Sequence, residues 1–164
     1  YSGRQELGVA ASPDDVYLAT RGLRTLGVRL REHEKNTIEI AKWFQARSEV
    51  DRVLYPALPE DPGYEIWKRD FTGASGLFGV IFKETSNEAV FAMINGMKYF
   101  ALGFSWGGYE SLISHSAPAK SRTATTWPHP GPGMRLHIGL EDPDDLIADL
   151  EEGLSRFNHA LTGG

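Results

Sequence analysis

The amino-acid sequence predicts an α+β fold, in which a small, mostly antiparallel sheet has helices packed on one of its faces. Apolar residues recur at helical spacing near both ends of the chain, and short apolar segments typical of strands lie between them. The predicted order is helix, strand, strand, helix, strand, strand, helix, which is typical of this two-layer arrangement. At 164 residues, the chain is long enough for one hydrophobic core and too short for two large domains.

The first third of the chain is predicted to be mainly helical. Residues 1–11 have the character of an extended lead-in, and residues 12–15 then supply a serine N-cap, a proline at the first helical position and two acidic residues. A long amphipathic helix is predicted over residues 22–47, with Gly22 and Gly27 marking a break or close packing near its start. Its apolar stripe consists of Leu23, Leu26, Leu30, Thr37, Ala41 and Phe44.

The middle of the chain is predicted to alternate strands with one helix. Alternating residues indicate a short strand over 50–55, and a proline-containing irregular stretch follows over 56–64. An apolar strand is predicted over 77–82, and Ser86 is placed to cap the next helix. Residues 98–102 are predicted to form a strand that leads directly into a glycine-flanked loop.

The last third is predicted to contain a long loop, a strand and a helix. Residues 114–133 are rich in Ser, Thr, Pro and Gly, and so long a loop is uncommon in a compact domain unless it has a use. In the strand predicted over 134–140, Leu136 lies on the aliphatic face and Arg135 on the opposite one. A second capped helix begins at Asp142.

The composition excludes several classes of function. A net charge of -5 and a pI near 5.5 argue against nucleic-acid binding, which needs a basic surface. No run of about 18 apolar residues is present, so the sequence predicts no membrane span. The absence of cysteine excludes disulfides and thiolate metal sites and is expected for a cytoplasmic protein. The chain does not begin with methionine, and we expect that it starts within a longer protein.

The most informative candidates for chemistry are Arg135 and the segment that contains Ser105 and Trp106. Arg135, a strand arginine on the non-aliphatic face, is a candidate to bind the carboxylate of a ligand. In the alternative interpretation, it forms a salt bridge on the protein surface. Ser105 and Trp106 follow a strand end, where loops often line clefts, but the residues alone favour a tight turn whose tryptophan fills the core. Glu110 is either exposed or, as we expect, a structural support for the loop.

Other types of site find little support in the sequence. No two histidines have zinc-ligand spacing, so a metal site is not predicted. No catalytic triad and no phosphate-binding P-loop is indicated. Nothing distinguishes any lysine as a Schiff-base former, and the lysines are Lys35, Lys42, Lys68, Lys83, Lys98 and Lys120.

Four segments, taken in order and spacing, resemble a known family. They are 21–26 (RGLRTL), 71–78 (FTGASGLF), 105–112 (SWGGYESL) and 135–142 (RLHIGLED). Together they resemble the C-terminal part of the cystathionine β-lyases, in the Cys/Met-metabolism family of pyridoxal-phosphate (PLP) enzymes. The resemblance implies an aspartate-aminotransferase-like (fold type I) enzyme, of which this chain is the small C-terminal domain.

The resemblance also implies roles for single residues. Arg135 matches the arginine that binds the substrate α-carboxylate. Ser105 and the Trp106 backbone match positions that line the substrate carboxylate and the region of the cofactor lysine, so Ser105 is also a candidate cofactor contact. The Trp106 ring and Phe104 match positions that shape the distal pocket, although some β-lyases carry tyrosine where Phe104 stands. Trp106 favours the β-lyase branch, because γ-lyases and γ-synthases typically have leucine there.

The implied division into domains is a lead-in and short helix over 1–21 and the small domain, with its long linking helix, over 22–164. The PLP-binding large domain and its Schiff-base lysine would lie upstream, so this chain contains no catalytic residue and is expected to be inactive alone. The implied full-length enzyme is a cytoplasmic homotetramer that converts cystathionine to homocysteine, pyruvate and ammonia in methionine biosynthesis and transsulfuration. The alternatives are a cystathionine γ-lyase or γ-synthase, a methionine γ-lyase, or a free-standing carboxylate-binding module.

Overall fold

A computed structural model describes residues 6–8 and 10–162. The elements are α1 (Pro13–Gln45), β1 (Val50–Leu54), α2 (Tyr64–Asp70), β2 (Leu77–Phe82), α3 (Asn87–Ile94), β3 (Ala101–Leu102), β4 (Leu112–Ser116), β5 (Gly133–His137) and α4 (Pro143–Leu161). The five strands form one sheet in the order β1-β2-β5-β4-β3. Neighbouring strands are antiparallel except for β3 and β4, which are parallel. The predicted mostly antiparallel sheet is therefore confirmed, and β5 is its central strand.

One face of the sheet carries the core. Phe78 pairs with Leu136 and Leu136 with Ile113, so that these three buried side chains stand side by side across β2, β5 and β4. Helices α1, α3 and α4 contribute apolar residues to the same cluster, which confirms the predicted α+β sandwich. The helical contributors include Ile40, Ala41, Phe44, Ala89, Val90, Met93, Leu146, Leu150 and Phe157.

The helix start predicted at residues 12–15 is confirmed, but the short helix expected there and the long helix predicted over 22–47 form one helix, α1. It begins at Pro13, where Ser12 Oγ accepts a hydrogen bond from the Asp15 backbone N-H at 3.1 Å, and it continues through Gly22 without a break. A side chain at Gly22 would meet open space, so this glycine does not mark close packing either. The first half of the helix leaves its apolar residues exposed, namely Val16, Tyr17, Leu18, Leu23, Leu26, Val28 and Leu30.

Several other boundaries differ from the sequence predictions. The strand predicted over 98–102 is reduced to Ala101–Leu102, and the one predicted over 134–140 spans Gly133–His137. Strand β4 was not predicted, because the loop predicted over 114–133 includes its second half. Helix α2 was not predicted either, because it directly follows the proline-containing irregular stretch that was expected to end near Tyr64. Residues 6–8 form a helical turn instead of an extended lead-in, and residues 1–5 and 9 lie outside the described part.

A buried carboxylate joins α4 to the segment before β3. Asp149 is 3% exposed, and its two oxygens accept hydrogen bonds from the backbone N-H groups of Lys98 and Tyr99 at 2.8 to 3.0 Å. These bonds fix the direction in which the chain enters β3. Charge-assisted bonds to backbone N-H groups are stronger than neutral ones, and their loss leaves partly buried donors without partners.

We expect Asp149→Ala to lower the free energy of unfolding by about 2 kcal/mol, because two backbone donors lose their acceptor. Urea unfolding of the chain would measure this change. Glu152→Gln is a matched control, because Glu152 pairs with the exposed Nζ of the same Lys98 at 2.7 Å and is expected to leave the midpoint almost unchanged. Equal midpoints for Asp149→Ala and the parent chain would contradict the structural role of Asp149.

Candidate functional site

The loop formed by residues 103–111 connects β3 to β4. Since these two strands are parallel, the loop must return from the end of β3 to the start of β4. It therefore leaves the plane of the sheet and passes beside the central strand β5. Its inner part contacts β5 and the segment after it, whereas Phe104, Ser105 and Trp106 are exposed.

Arg135 lies on β5 and contacts this loop directly. It alternates with the buried Met134 and Leu136, which confirms the prediction that it lies on the face opposite the core. Its Nη2 donates a hydrogen bond to the Phe104 carbonyl oxygen at 2.5 Å, and its guanidinium carbon lies 5.6 Å from the centroid of the Phe104 ring. The structure thus brings Arg135 together with the 104–106 segment, although they are 29 or more residues apart in sequence.

The guanidinium has no carboxylate partner within residues 6–8 and 10–162, where the ion pairs involve other residues. The alternative interpretation of Arg135 as a surface salt-bridge residue therefore fails for the described part of the chain. One hydrogen bond to a carbonyl leaves further N-H donors of the guanidinium able to bind an anion. A bidentate carboxylate is the ligand that best fits such a fork of donors.

The three aromatic side chains of the loop, Phe104, Trp106 and Tyr109, are on the surface. Trp106 is 61% exposed and Phe104 is 77% exposed. The interpretation of Trp106 as a core-filling residue is therefore wrong. Large exposed aromatic side chains beside an unpaired guanidinium are typical of a surface that receives a ligand or another part of a protein.

His137 holds the turn that follows Trp106. Gly107 has a φ of 86°, a backbone conformation that favours glycine. The Gly107 N-H donates to His137 Nε2 at 3.1 Å, and the Gly108 carbonyl oxygen lies 3.2 Å from the same nitrogen. Which of the two bonds forms depends on the tautomer of the ring. In both cases, a buried imidazole on β5 determines where the glycine turn sits.

The end of the loop is held by a second network. The Glu141 carboxylate accepts hydrogen bonds from the Ser111 N-H at 2.7 Å and from the Ser111 hydroxyl at 2.8 Å. Ser111 Oγ in turn accepts from the Gly139 N-H at 2.9 Å, and the Leu140 N-H donates to the Tyr109 carbonyl at 2.9 Å. The loop is therefore fixed by hydrogen bonds at its glycine turn and at its end, and the exposed 104–106 segment lies before these two points.

Two histidines pack together beneath the loop. His33 of α1 and His137 have ring centroids 5.2 Å apart, and each side chain is 2% exposed. Burial is the main cause that lowers the pKa of both, and neighbouring positive groups add to it, namely His137 and Arg29 for His33 and Arg135 for His137. Glu141 opposes the shift of both pKa values. Both rings are therefore neutral near pH 7, which suits an acceptor of the Gly107 N-H.

The sequence analysis missed His137, Ser111 and Glu141 as supporting residues. Glu110, which we expected to support the loop, is exposed, and its bond to the Tyr109 hydroxyl raises the pKa of that tyrosine. The available signal for His137 was its place two residues after Arg135 on the same strand face. For Ser111 and Glu141, no spacing in the sequence indicated that they meet.

Other features of the described residues do not form part of this site. A groove of about 590 Å³ lies between α1, α2 and the start of β2, and it is lined by residues such as Leu30, Tyr55, Trp67 and Leu77. No cluster of three or more His, Cys, Asp or Glu side chains in the described ranges is arranged to hold a metal ion. Nor does any helix there have the length and apolar character that crossing a membrane requires.

Comparison with known proteins identifies the family of this chain. Residues 2–155 match the profile of the family described as Cys/Met metabolism PLP-dependent enzyme. Cystathionine beta-lyase MetC of Escherichia coli K12 is 47% identical over 155 residues, which cover 92% of this chain and 39% of that protein. The L-alanine/L-glutamate racemase of Wolbachia pipientis wMel is 43% identical over 159 residues, covering 96% of this chain and 40% of the racemase.

A solved structure of cystathionine gamma synthase from Xanthomonas oryzae pv. oryzae, in complex with aminoacrylate and cysteine, superposes with a TM-score of 0.81 at 37% identity. The superposition covers 95% of this chain and 41% of the synthase. The chain thus spans about two fifths of the length of its relatives. Its structural neighbours are PLP enzymes of fold type I, as the sequence resemblance implied. The profile match, the identity to these relatives and the shared fold show that this chain belongs to the Cys/Met metabolism family of PLP-dependent enzymes.

Proposed function

We propose that this chain is the C-terminal domain of a PLP-dependent cystathionine β-lyase and that it supplies the substrate-carboxylate side of the active site. The observation that carries the proposal is the Arg135 guanidinium, which has no carboxylate partner among the described residues and lies against the exposed 104–106 loop segment. A bidentate pair with the α-carboxylate would orient the substrate so that its Cα-H bond faces the catalytic base.

Each residue of the exposed 104–106 segment has a proposed part in substrate binding. Ser105, which follows the Phe104 that Arg135 contacts, would offer its hydroxyl to the carboxylate and is the candidate contact to the cofactor. The Trp106 ring and Phe104 would enclose the distal part of cystathionine. Trp106 is also the residue that favours a β-lyase over a γ-lyase or γ-synthase. Because Phe104 lacks the hydroxyl of a tyrosine, we propose only apolar and cation-π contacts at this position.

The residues of this chain would form one side of a PLP site, without the lysine to which PLP is covalently attached. Bound PLP supplies an electron sink for the electrons released at Cα. A Schiff-base lysine needs a lowered pKa, whereas hydrogen bonds to Glu32 and Glu152 raise the pKa values of Lys35 and Lys98. We therefore place the attachment lysine in the large domain of the full-length protein, outside the small domain at 22–164.

The exposed first half of α1 supports the proposed large domain as partner. Its apolar residues are exposed, and one of them, Leu30, also lines the 590 Å³ groove. Burying this surface against the rest of a full-length enzyme would stabilise the helix, which has few core contacts before His33. We further propose that the full-length enzyme is a cytoplasmic homotetramer and that this chain alone is inactive.

The reaction is tested with the full-length, PLP-loaded protein and cystathionine as substrate. We expect pyruvate, ammonia and homocysteine, and chromatographic identification of the oxo acid and of the thiol would distinguish them from 2-oxobutyrate and cysteine. 2-Oxobutyrate as the main product would instead indicate a γ-lyase. Conversion of L-alanine to D-alanine without pyruvate would indicate a racemase such as the Wolbachia relative, and either outcome would overturn the β-lyase assignment.

A second measurement separates the enzyme from a free-standing carboxylate-binding module. The isolated 164-residue chain is titrated with cystathionine in a calorimeter without cofactor. We expect no measurable heat of binding, because Arg135 and the loop supply only one side of the pocket. Specific binding that is lost in Arg135→Gln would favour the module.

A further inference from the structure

The 104–106 segment makes few contacts of its own, so its position depends on the turn that follows it. Among its described hydrogen bonds, the Phe104 carbonyl accepts from Arg135. The next fixed point along the chain is the Gly107 N-H at His137 Nε2. Glycine at positions 107 and 108 gives the backbone wide conformational freedom, and side chains added at either position would meet open space. The turn is thus held by hydrogen bonding and not by packing.

His137 can accept the Gly107 N-H only as a neutral imidazole, whereas a protonated ring keeps only the bond that it donates to the Gly108 carbonyl oxygen. A neutral ring has one nitrogen that accepts, whereas a protonated ring has two donors and no acceptor. The charged and titratable groups around it are His33 from α1, Arg135 from β5 and Glu141 after β5, with Arg29 close to His33. Arg135 and a protonated His33 oppose a positive charge on His137, and Glu141 favours it.

We propose that His137 is a positioning residue, which holds the Gly107-Gly108 turn and thereby places Ser105 and Trp106 beside Arg135 for substrate binding. This inference rests on the proposed function for its substrate, but its structural part concerns this chain alone. Loss of the imidazole acceptor would free the turn, while Ser111 and Glu141 still hold the end of the loop. Substrate binding would suffer more than the chemical step.

Fluorine NMR of the 164-residue chain tests the structural part without any activity. The chain has four tryptophans, and 5-fluorotryptophan labelling with Trp106→Phe as reference identifies the Trp106 resonance. We expect His137→Leu to shift or broaden this resonance and to leave those of Trp43, Trp67 and Trp127 unchanged. His137→Gln should preserve it, because a glutamine carbonyl can accept the Gly107 N-H. An unchanged Trp106 resonance in His137→Leu would overturn the proposal.

The pH dependence of the Trp106 resonance is a second measurement, and a purely structural role of His137 would not produce such a dependence. Because burial lowers the pKa of His137, the native ring becomes protonated only at a pH below the ordinary value of about 6.5. We expect the Trp106 resonance of the parent chain to move in that acidic range, and that of His137→Gln to stay constant. Movement of equal size in both chains would assign the effect to another group and count against His137.

Kinetics of the full-length enzyme test the consequence for substrate. We expect His137→Leu to raise KM for cystathionine about tenfold with a smaller change in kcat, and His137→Gln to restore most of the loss. Ile138→Val controls for destabilisation, since Ile138 is a fully buried neighbour on the core face. A KM increase in Ile138→Val equal to that in His137→Leu would refute the positioning role. If the parent enzyme does not act on cystathionine, the proposed function fails, and the NMR result still decides the role of His137 in the loop.

Discussion

Replacing Arg135 with lysine is expected to raise KM of the full-length enzyme for cystathionine on the order of a hundredfold, because an ammonium group cannot reproduce two parallel donors to a carboxylate. Losing charge-assisted bonds of this kind costs about 1.5 to 3 kcal/mol, which corresponds to about a ten- to hundredfold change in affinity. The side chain is half-buried and bonded to the Phe104 carbonyl, so the loop would also lose a contact. Steady-state kinetics at saturating PLP measure the change.

Arg122→Lys is the matched control for this substitution. Arg122 also stacks over an aromatic ring, at 5.0 Å from the Trp127 centroid, but it lies in the segment between β4 and β5, away from the 103–111 loop. Its replacement should leave KM unchanged. A KM for Arg135→Lys within twofold of the parent value would contradict the role of Arg135 in carboxylate binding, provided that thermal unfolding shows both variants to be folded.

Replacing Gly139 with alanine is expected to disrupt the end of the 103–111 loop and to lower the free energy of unfolding by about 3 kcal/mol. An added Cβ would overlap the Tyr109 carbonyl oxygen and lie 2.8 Å from the Glu110 carbonyl carbon. Both are backbone atoms, so the loop itself must move, and the Gly139 N-H bond to Ser111 Oγ at 2.9 Å would be strained. Urea unfolding measures the loss of stability.

Gly108→Ala in the same loop serves as the control. A Cβ there would meet open space, and Gly108 is not one of the glycines with positive φ. This variant should unfold at nearly the same urea concentration as the parent chain. If Gly139→Ala were equally stable, the close approach of the loop to the segment after β5 would be wrong.

Much of the fold followed from periodicity. The strand over 77–82, the helix after Ser86 and the helix after Asp142 all begin where capping or apolar alternation predicts them. Strand β4 was missed because the sequence LISHS has only two aliphatic residues, and tertiary pairing with β5 and β3 makes it a strand. Its absence from the prediction made the following loop too long.

The site was predictable in part. The resemblance pointed to Arg135 and the 104–106 segment, and the structure brings them into contact, although their roles toward substrate remain predictions. The supporting bonds of His137 and Glu141 join residues about 30 positions apart. Such pairs depend on the crossover between two parallel strands, which local sequence patterns do not encode.

The central position of β5 has a consequence for how enzymes of this kind diversify. Arg135 belongs to the strand with neighbours on both sides, whereas the residues beside it occupy an exposed segment whose side chains contribute little to the core. If Arg135 binds the amino-acid carboxylate as proposed, substitutions at 104–106 would change the shape of the pocket while the carboxylate ligand stays on a strand with two neighbours. Libraries for altered leaving groups are then best confined to those three codons, because their side chains are exposed and are not part of the core.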